Sequence, residues 1–409
     1  MKKEVQLTVV GKIFRPNKKK VLALNMCLKE YHTLVKWYLN FNSTSKTFLH
    51  SNGYEKAKQL FNLNTALIQT ARDKAVEILK SFNEKRKEGK VKSEKPKLKR
   101  VSIRFDKRCY YFAKTTNKLT PYWLTLSLNH KKRVTLPIVF GERQQKFIEE
   151  ALQGGWQFCV EMVKRNGEWY AYFILKKEIE FDEPETVIGL DLGEWNVATA
   201  VAISRQNSKP MKGRFWSGAK IREIRGKYAH IRRNLQRKKR LDLVRRIRSK
   251  EGRIVNQILH TIAREVVEYA KQFSKPIIAI ERLNGIRDNM SGSAKLNRRL
   301  HAWSFRKLQQ YIEYKANLEE IPVVYVNPKD TSKGCHRCGH VAQTNREFRC
   351  PKCGLVYNRD LNSAINIAYA LKRGMNWSCE PPELPDEVLT QSQGGTGEAS
   401  SVRAGVVHF

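Results

Sequence analysis

The chain has 409 residues, enough for two or three domains at roughly 150 residues each. Its 78 Lys and Arg face 39 Asp and Glu, a formal charge of +39, while 41 % hydrophobic and 10 % aromatic residues supply real cores. A wholly disordered basic protein is thereby excluded, and a folded protein with a polyanionic partner is expected. No apolar stretch approaches the roughly 20 residues that cross a bilayer, and Lys12 breaks the apolar start. The basic residues are spread along the chain instead of flanking one amphipathic helix, so nucleic acid, not a membrane, is the expected partner and the cytoplasm the expected compartment.

In chain order, Val5, Leu7 and Val9 alternate with polar residues and predict a strand. From about Lys18, Val21, Leu24, Leu28, Tyr31, Val35 and Tyr38 recur every three or four positions and predict an amphipathic helix. A second helical stretch runs from about Tyr54 to Phe82, with a restart at Asn64-Thr65. The charge run from Glu84 to Arg100 then reads equally as a solvated loop or as a segment touching phosphates. Segments rich in strand formers follow at 101–105, 110–112, 124–128, 134–139, 156–163 and 169–175, the spacing of a small barrel or sandwich. Val5 to Val9 has no strand partner nearby, so it is expected to join that barrel and make the helices an insertion into it.

From Val187 the texture becomes α/β, with strands predicted at 187–192, 197–203, 276–281 and 322–327 and helices between them. The block from Met211 to Arg253 is predicted helical and holds 17 Lys and Arg against Glu223, Asp242 and Glu251. Ile221, Ile224, Tyr228, Ile231 and Leu235 give it one apolar stripe, which leaves Arg232, Arg233, Arg237, Lys238, Lys239 and Arg240 as candidate nucleic-acid contacts. The segment from Trp377 to the end is rich in Pro, Gly, Ser and Glu and is expected to be disordered.

Cys335, Cys338, Cys350 and Cys353 form two C-x-x-C pairs, whereas Cys27, Cys109, Cys159 and Cys379 are isolated. Two such pairs supply the four thiolates of a closed tetrahedral site, so one structural Zn²⁺ is expected. Gly339 and Gly354 follow each pair, where a tight knuckle needs permissive backbone angles. His336 and His340 flank the first knuckle, but four cysteines already fill the shell. His260 and His301 fall on helical stretches and read as core or surface residues.

Three acidic residues sit at positions suited to chemistry. Asp191 lies in the apolar strand Val-Ile-Gly-Leu-Asp-Leu-Gly, with Gly189 and Gly193 allowing another backbone or a substrate to approach closely. Glu281 closes the apolar run Pro-Ile-Ile-Ala-Ile-Glu, and Asp360 precedes the helical pattern 361–371, where an Asp could also serve as a cap. One explanation covers all three: a carboxylate cluster holding two Mg²⁺ ions, or Mn²⁺ in their place, roughly 3.5–4 Å apart, for phosphodiester hydrolysis. No H-E-x-x-H, P-loop or G-x-S-x-G motif offers competing chemistry.

These residues resemble the TnpB family, RNA-guided nucleases of small insertion-sequence transposons and relatives of the type V CRISPR effectors. Gly189-Leu190-Asp191-Leu192-Gly193 with Asn196 is similar to its first RuvC motif, and Ile280-Glu281-Arg282-Leu283 to its second. Trp303-Ser304-Phe305, Leu308, Tyr314-Lys315-Ala316 and Val326-Asn327-Pro328 lead into Thr331-Ser332 and the cysteine pairs as in that family. Asn358-Arg359-Asp360-Leu361-Asn362, with Ala364, Asn366 and Ile367, resembles the third motif. Arg282 and Asn358 stand where the family commonly has Asp.

The resemblance implies a multidomain α+β protein. An N-terminal β-barrel, the wedge, would occupy 1–16 and 100–182, with a helical recognition domain inserted at 17–99. A ribonuclease H-like RuvC domain would span 183–330 and 355–376, with a zinc-ribbon insertion at 331–354 that binds target nucleic acid and a disordered tail at 377–409. It further implies a guide RNA from the transposon end and cleavage of double-stranded DNA beside a short target-adjacent motif. Asp191, Glu281 and Asp360 would be both catalytic and metal-binding. The alternatives are a guided repressor that does not cut and a DDE-like transposase, whose usual carboxylate order ends in Glu.

Overall fold

The computed structural model describes residues 2–129, 131–207, 209–282, 305–343, 347–375 and the strand at 405–408. His301, the Trp303-Ser304 pair and most of the tail expected at 377–409 lie outside the described residues. The chain forms two compact units, Glu4–Glu178 and Ile179–Phe409, the latter with Met1–Lys3.

In the first unit, β1 (Lys2–Ile13) leads into α1 (Lys18–Leu39), α2 (Lys46–Leu60) and α3 (Thr65–Lys87). Asn17 and Asn64 cap α1 and α3 by accepting from the Lys20 and Ala66 N–H groups. The predicted restart at Asn64-Thr65 is therefore a true helix boundary. Helices α1 and α3 pack together, burying Leu24, Tyr31, Leu34 and Val35 of α1 and Leu67, Ala71 and Val76 of α3. The strands that follow are β2 (Ile103–Phe105), β3 (Tyr110–Lys114), β4 (Tyr122–Ser127), β5 (Arg133–Val139), β6 (Gln157–Arg165) and β7 (Glu168–Glu180).

These strands join β1 in one seven-stranded sheet ordered β2-β6-β7-β1-β5-β4-β3. The first strand of the chain thus fills the gap between two later ones, which makes the three helices an insertion. The sheet curls into a nearly closed barrel: Tyr110 Oη of β3 donates to Phe158 O of β6 at 2.7 Å, and the Phe112, Phe158 and Phe173 rings meet inside. The insertion is anchored to the barrel where Tyr31 Oη donates to Thr70 Oγ1, which donates to Arg104 O at 2.8 Å. Lys74 and Arg104 both pair with Glu161. A short helix, α4 (Glu142–Leu152), was not expected, although Phe147, Ile148 and Ala151 carry its apolar spacing.

The second unit is built on β8 (Thr186–Asp191), β9 (Asn196–Ser204), β10 (Pro210–Ser217), β11 (Pro276–Glu281), β12 (Val323–Val326) and β15 (Gly405–His408), ordered β12-β11-β8-β9-β10-β15. Strands β8, β11 and β12 are parallel, whereas β9 pairs antiparallel with β8 and β10 antiparallel with β9. The start of the basic block is therefore a strand and not a helix: Trp216 is buried against the core, and hairpin pairing with β9 outweighs the helical pattern that begins only at Ala219. Gly405–His408, within the segment expected to be disordered, pairs with β10 at the sheet edge.

On one face lie α5 (Ala219–Arg237), α6 (Leu241–Ala270) and α7 (Phe305–Leu318), whose apolar sides close a core over Ile188, Leu190, Ile278 and Ile280. On the other lies α8 (Arg359–Gly374), packed on Val187, Val201 and Ala279 together with the cysteine segment and its two short strands, β13 (Glu347–Arg349) and β14 (Val356–Asn358). The six-stranded sheet is thus covered on both sides, in keeping with the near-continuous apolar runs of β8 and β11.

Candidate nuclease centre and cysteine knuckles

Strands β8 and β11 are hydrogen-bonded neighbours running the same way, so Asp191 and Glu281 emerge side by side at their carboxyl ends. This is where open α/β sheets place ligands. Helix α8 brings Asp360 to the same end of the sheet because it crosses β8 in direct contact. At Gly189 an added Cβ would lie 2.0 Å from Ala364 O, so glycine is needed for the helix to dock at all. The close approach expected of this glycine is that of α8.

Asp360 does not cap α8. Asn358 does, its side chain accepting from the Asp360 and Leu361 N–H groups at 3.0 and 3.1 Å. The Asp360 carboxylate is left to point elsewhere, and it accepts from Asn196 Nδ2 at 2.7 Å. Asn358 provides the cap without adding a negative charge beside the other carboxylates.

Asp191 is crowded by protein yet not sealed from solvent. Burial, followed by the charges of Glu281 and Asp360, pushes its carboxyl well above the usual range, with Arg359 offsetting part of the effect. Burial also raises Glu281, against a hydrogen bond from Thr331 Oγ1 to Glu281 Oε1. The Glu281 backbone is clamped as well: its carbonyl accepts from the buried Gln309 of α7 at 2.8 Å. A divalent cation is the counter-charge that relieves such a group of recessed carboxylates, and oxygen ligands suit a hard ion. The donor chemistry fits Mg²⁺ or Mn²⁺.

The four cysteines are gathered more tightly, with all sulfurs within 4.8 Å of one another. Among the described residues no carboxylate group is as compact. Cys335 and Cys353 Sγ are 3.6 Å apart and Cys338 and Cys350 Sγ 3.5 Å, too far for disulfides and suited to a shared ion. Each knuckle closes by a backbone bond, Gly339 N to Cys335 O and Gly354 N to Cys350 O, with both glycines at positive φ. His336 is no ligand. Its N–H and Nδ1 both face Asn362 Oδ1, and burial lowers its pKa to about 4.

The six basic candidates divide. Arg232 forms an ion pair with Glu251 across α5 and α6, and Arg240 pairs with Asp242 at 3.1 Å. Arg233, Arg237, Lys238 and Lys239 stand exposed at the end of α5 and in the turn after it. Sequence reasoning assigned no role to Thr331, Gln309 or Asn362. Each is a buried polar residue, but burial cannot be read from a polar letter alone. No helix among the described residues is long and apolar enough to cross a membrane.

Comparison with known proteins agrees with this layout. Residues 305–367 match the family model "Cas12f1-like, TNB domain", and residues 23–120 match the Uncharacterized protein MJ0013 family. A TnpB-like protein of Methanocaldococcus jannaschii is 29 % identical over 246 residues, covering 58 % of this chain and 86 % of that protein. The CRISPR-associated endodeoxyribonuclease Cas12f1 of Sulfoacidibacillus thermotolerans is 29 % identical over 270 residues, 59 % of this chain and 60 % of the relative. The fold is that of Cas12f1 as solved in a complex with sgRNA and target DNA, at a TM-score of 0.66 and 15 % identity, over 86 % of this chain and 83 % of that one. By sequence over more than half its length, and by fold over most of it, the chain is a relative of the TnpB-like proteins and the Cas12f effectors.

Proposed function

We propose that this protein is an RNA-guided DNA endonuclease whose nuclease centre is Asp191, Glu281 and Asp360. The observation that carries the reading is the convergence of these carboxylates at the ends of adjacent parallel strands and one helix, with Asp191 destabilised as an anion by burial and by the other two. The three residues would hold two Mg²⁺ or Mn²⁺ ions, which when bound supply an activated water and charge stabilisation for phosphodiester cleavage. This chain's own part is to hold the carboxylates in place: Asn196 donates to the Asp360 carboxylate and Thr331 to that of Glu281, while Gln309 holds the Glu281 backbone carbonyl.

In this reading the barrel strands at 1–16 and 100–182 form the wedge and the helices at 17–99 the recognition domain. The sheet at 183–330 and 355–376 is the nuclease, and the zinc ribbon at 331–354 contacts target nucleic acid. The partners are a guide RNA from the transposon end and double-stranded DNA with a flanking target-adjacent motif. The exposed cations Arg233, Arg237, Lys238 and Lys239 are offered to phosphates, and the charge of +39 has its counter-charge there.

The test is cleavage by protein loaded with its co-purified RNA. Asp191→Ala, Glu281→Ala and Asp360→Ala should each abolish cutting of a matched duplex while guided binding persists. Cutting at the wild-type rate by any one of them removes that residue from the centre. Full cutting by all three would refute the assignment.

A further inference from the structure

Thr331 is 6 % exposed and lies between the end of β12 and the first knuckle cysteine. Two acceptors face its hydroxyl, Glu281 Oε1 and, at 3.0 Å, Pro328 O. Its carbonyl accepts from Asn366 Nδ2 at 2.9 Å. The same amide reaches Gly334 O at 2.6 Å, next to Cys335, and Asn362 Nδ2 donates to Gly334 O at 2.8 Å. Asn362 and Asn366 belong to α8, the helix that carries Asp360. A continuous chain of hydrogen bonds therefore runs from the helix of Asp360, through the loop that enters the cysteine knuckle, to the carboxylate of Glu281.

We propose that Thr331 is a positioning residue for Glu281, and the link by which α8 and the cysteine knuckle hold Glu281 and Asp360 in one arrangement. The inference rests on the reading above that these carboxylates bind divalent cations. The terminal torsion of a glutamate is broad, so strand β11 by itself leaves the carboxylate plane free to turn. A hydroxyl donating to Oε1 fixes that plane and would leave Oε2 to serve as the cation ligand. Because the Thr331 carbonyl is held by α8, a shift of that helix would be felt at Glu281 as well as at Asp360.

Removing an outer-shell partner of a metal ligand typically costs about 10–100-fold in affinity. The experiment is a calorimetric titration of the full-length, zinc-loaded protein with Mn²⁺, alongside zinc content and melting temperature. Thr331→Val should weaken Mn²⁺ binding by roughly 10–100-fold with zinc content unchanged, whereas Thr331→Ser, which keeps the hydroxyl, should stay within about threefold of wild type. Thr331→Ala is a second hydroxyl-free variant, should the valine disturb the loop, and the same weakening is expected.

Wild-type Mn²⁺ affinity in both hydroxyl-free variants overturns the proposal. So does a Thr331→Ser protein as weak as Thr331→Ala, since that would make the side chain a packing element. If Glu281→Gln and Asp191→Asn both bind Mn²⁺ as wild type does, the carboxylate reading itself is wrong and the role of Thr331 falls with it.

Discussion

The cysteine knuckles and the carboxylate centre are both clusters of ligand-type side chains, but they are assembled in opposite ways. The four cysteines lie between positions 335 and 353, each pair closed by its own glycine turn, so short-range backbone geometry does most of the gathering. The carboxylates come from positions 191, 281 and 360, and only the register of β8 against β11 and the docking of α8 bring them to one place. A local cluster is broken mainly by losing its ligands. A distributed one can also be broken from a distance, by anything that moves a strand or a helix.

Damage to the local cluster should be the most severe. Cys335→Ser or Cys350→Ser should release zinc and unfold residues 335–353, because a structural Zn²⁺ contributes roughly 10–16 kcal/mol to a small knuckle. Elemental analysis should return about one zinc per wild-type chain and much less in the variants. Finding iron, or no metal after purification without chelator, would contradict the zinc assignment.

A more moderate change should disrupt the distributed cluster from a distance. Gly189→Ala places a methyl against the Ala364 carbonyl, which is backbone and cannot swing aside. A drop of about 1–3 kcal/mol in stability is expected, as for other overpacked cores, with a fall in cleavage because Asp360 moves with α8. Gly226 on α5 is the control: nothing lies within 4 Å of an added Cβ there, so Gly226→Ala should hold or slightly raise the melting temperature. Equal melting temperatures for Gly189→Ala and wild type would mean that α8 does not depend on this close approach.

The carboxylate centre should also respond to pH. The folded-state pKa of Asp191 is raised, so the group favours the fold while neutral, and that contribution is lost as pH rises through the elevated value. Without added divalent cation, the melting temperature of Asp191→Asn should therefore gain on wild type as pH climbs from about 4, the ordinary carboxylate value, towards neutrality. A difference that stays constant with pH would show that Asp191 carries no such penalty.

Substitutions away from both clusters should be the mildest. Arg237→Glu with Lys239→Glu should leave the fold intact and flatten the salt dependence of RNA binding, by about 0.7 in the logarithmic slope for each phosphate no longer neutralised. Arg232→Glu should instead lower the melting temperature, since it sets two carboxylates against each other where Arg232 now meets Glu251. If Arg237→Glu/Lys239→Glu retains the wild-type slope, the phosphate-binding surface lies elsewhere, and the charge run from Lys85 to Arg100 is the next one to test.

Much of this architecture is legible in the letters. Alternation at Val5, Leu7 and Val9 announces a strand, and Asn64 announces a cap. The spacing of Cys335, Cys338, Cys350 and Cys353 announces a four-sulfur cluster, and the apolar runs ending in Asp191 and Glu281 announce buried strands with charged tips. Each is a short-range pattern imposed by backbone periodicity or by the reach of a few residues. Strand β10 shows where such reading fails, because pairing with β9 decides its state and no local pattern reports a partner.

The order of residues therefore sets a local grammar: which segments are helix or strand, which glycines turn a knuckle, and which acidic residues stand at the ends of apolar runs. Long-range packing was needed to place β1 between β7 and β5, to make Asn358 and not Asp360 the cap of α8, and to spend Arg232 on Glu251 while Arg237 is exposed. It also brought Thr331 to Glu281 across 50 positions. The reason is physical: the meeting of two residues far apart in the chain depends on the summed register and packing of every element between them, and no single stretch of sequence encodes that sum.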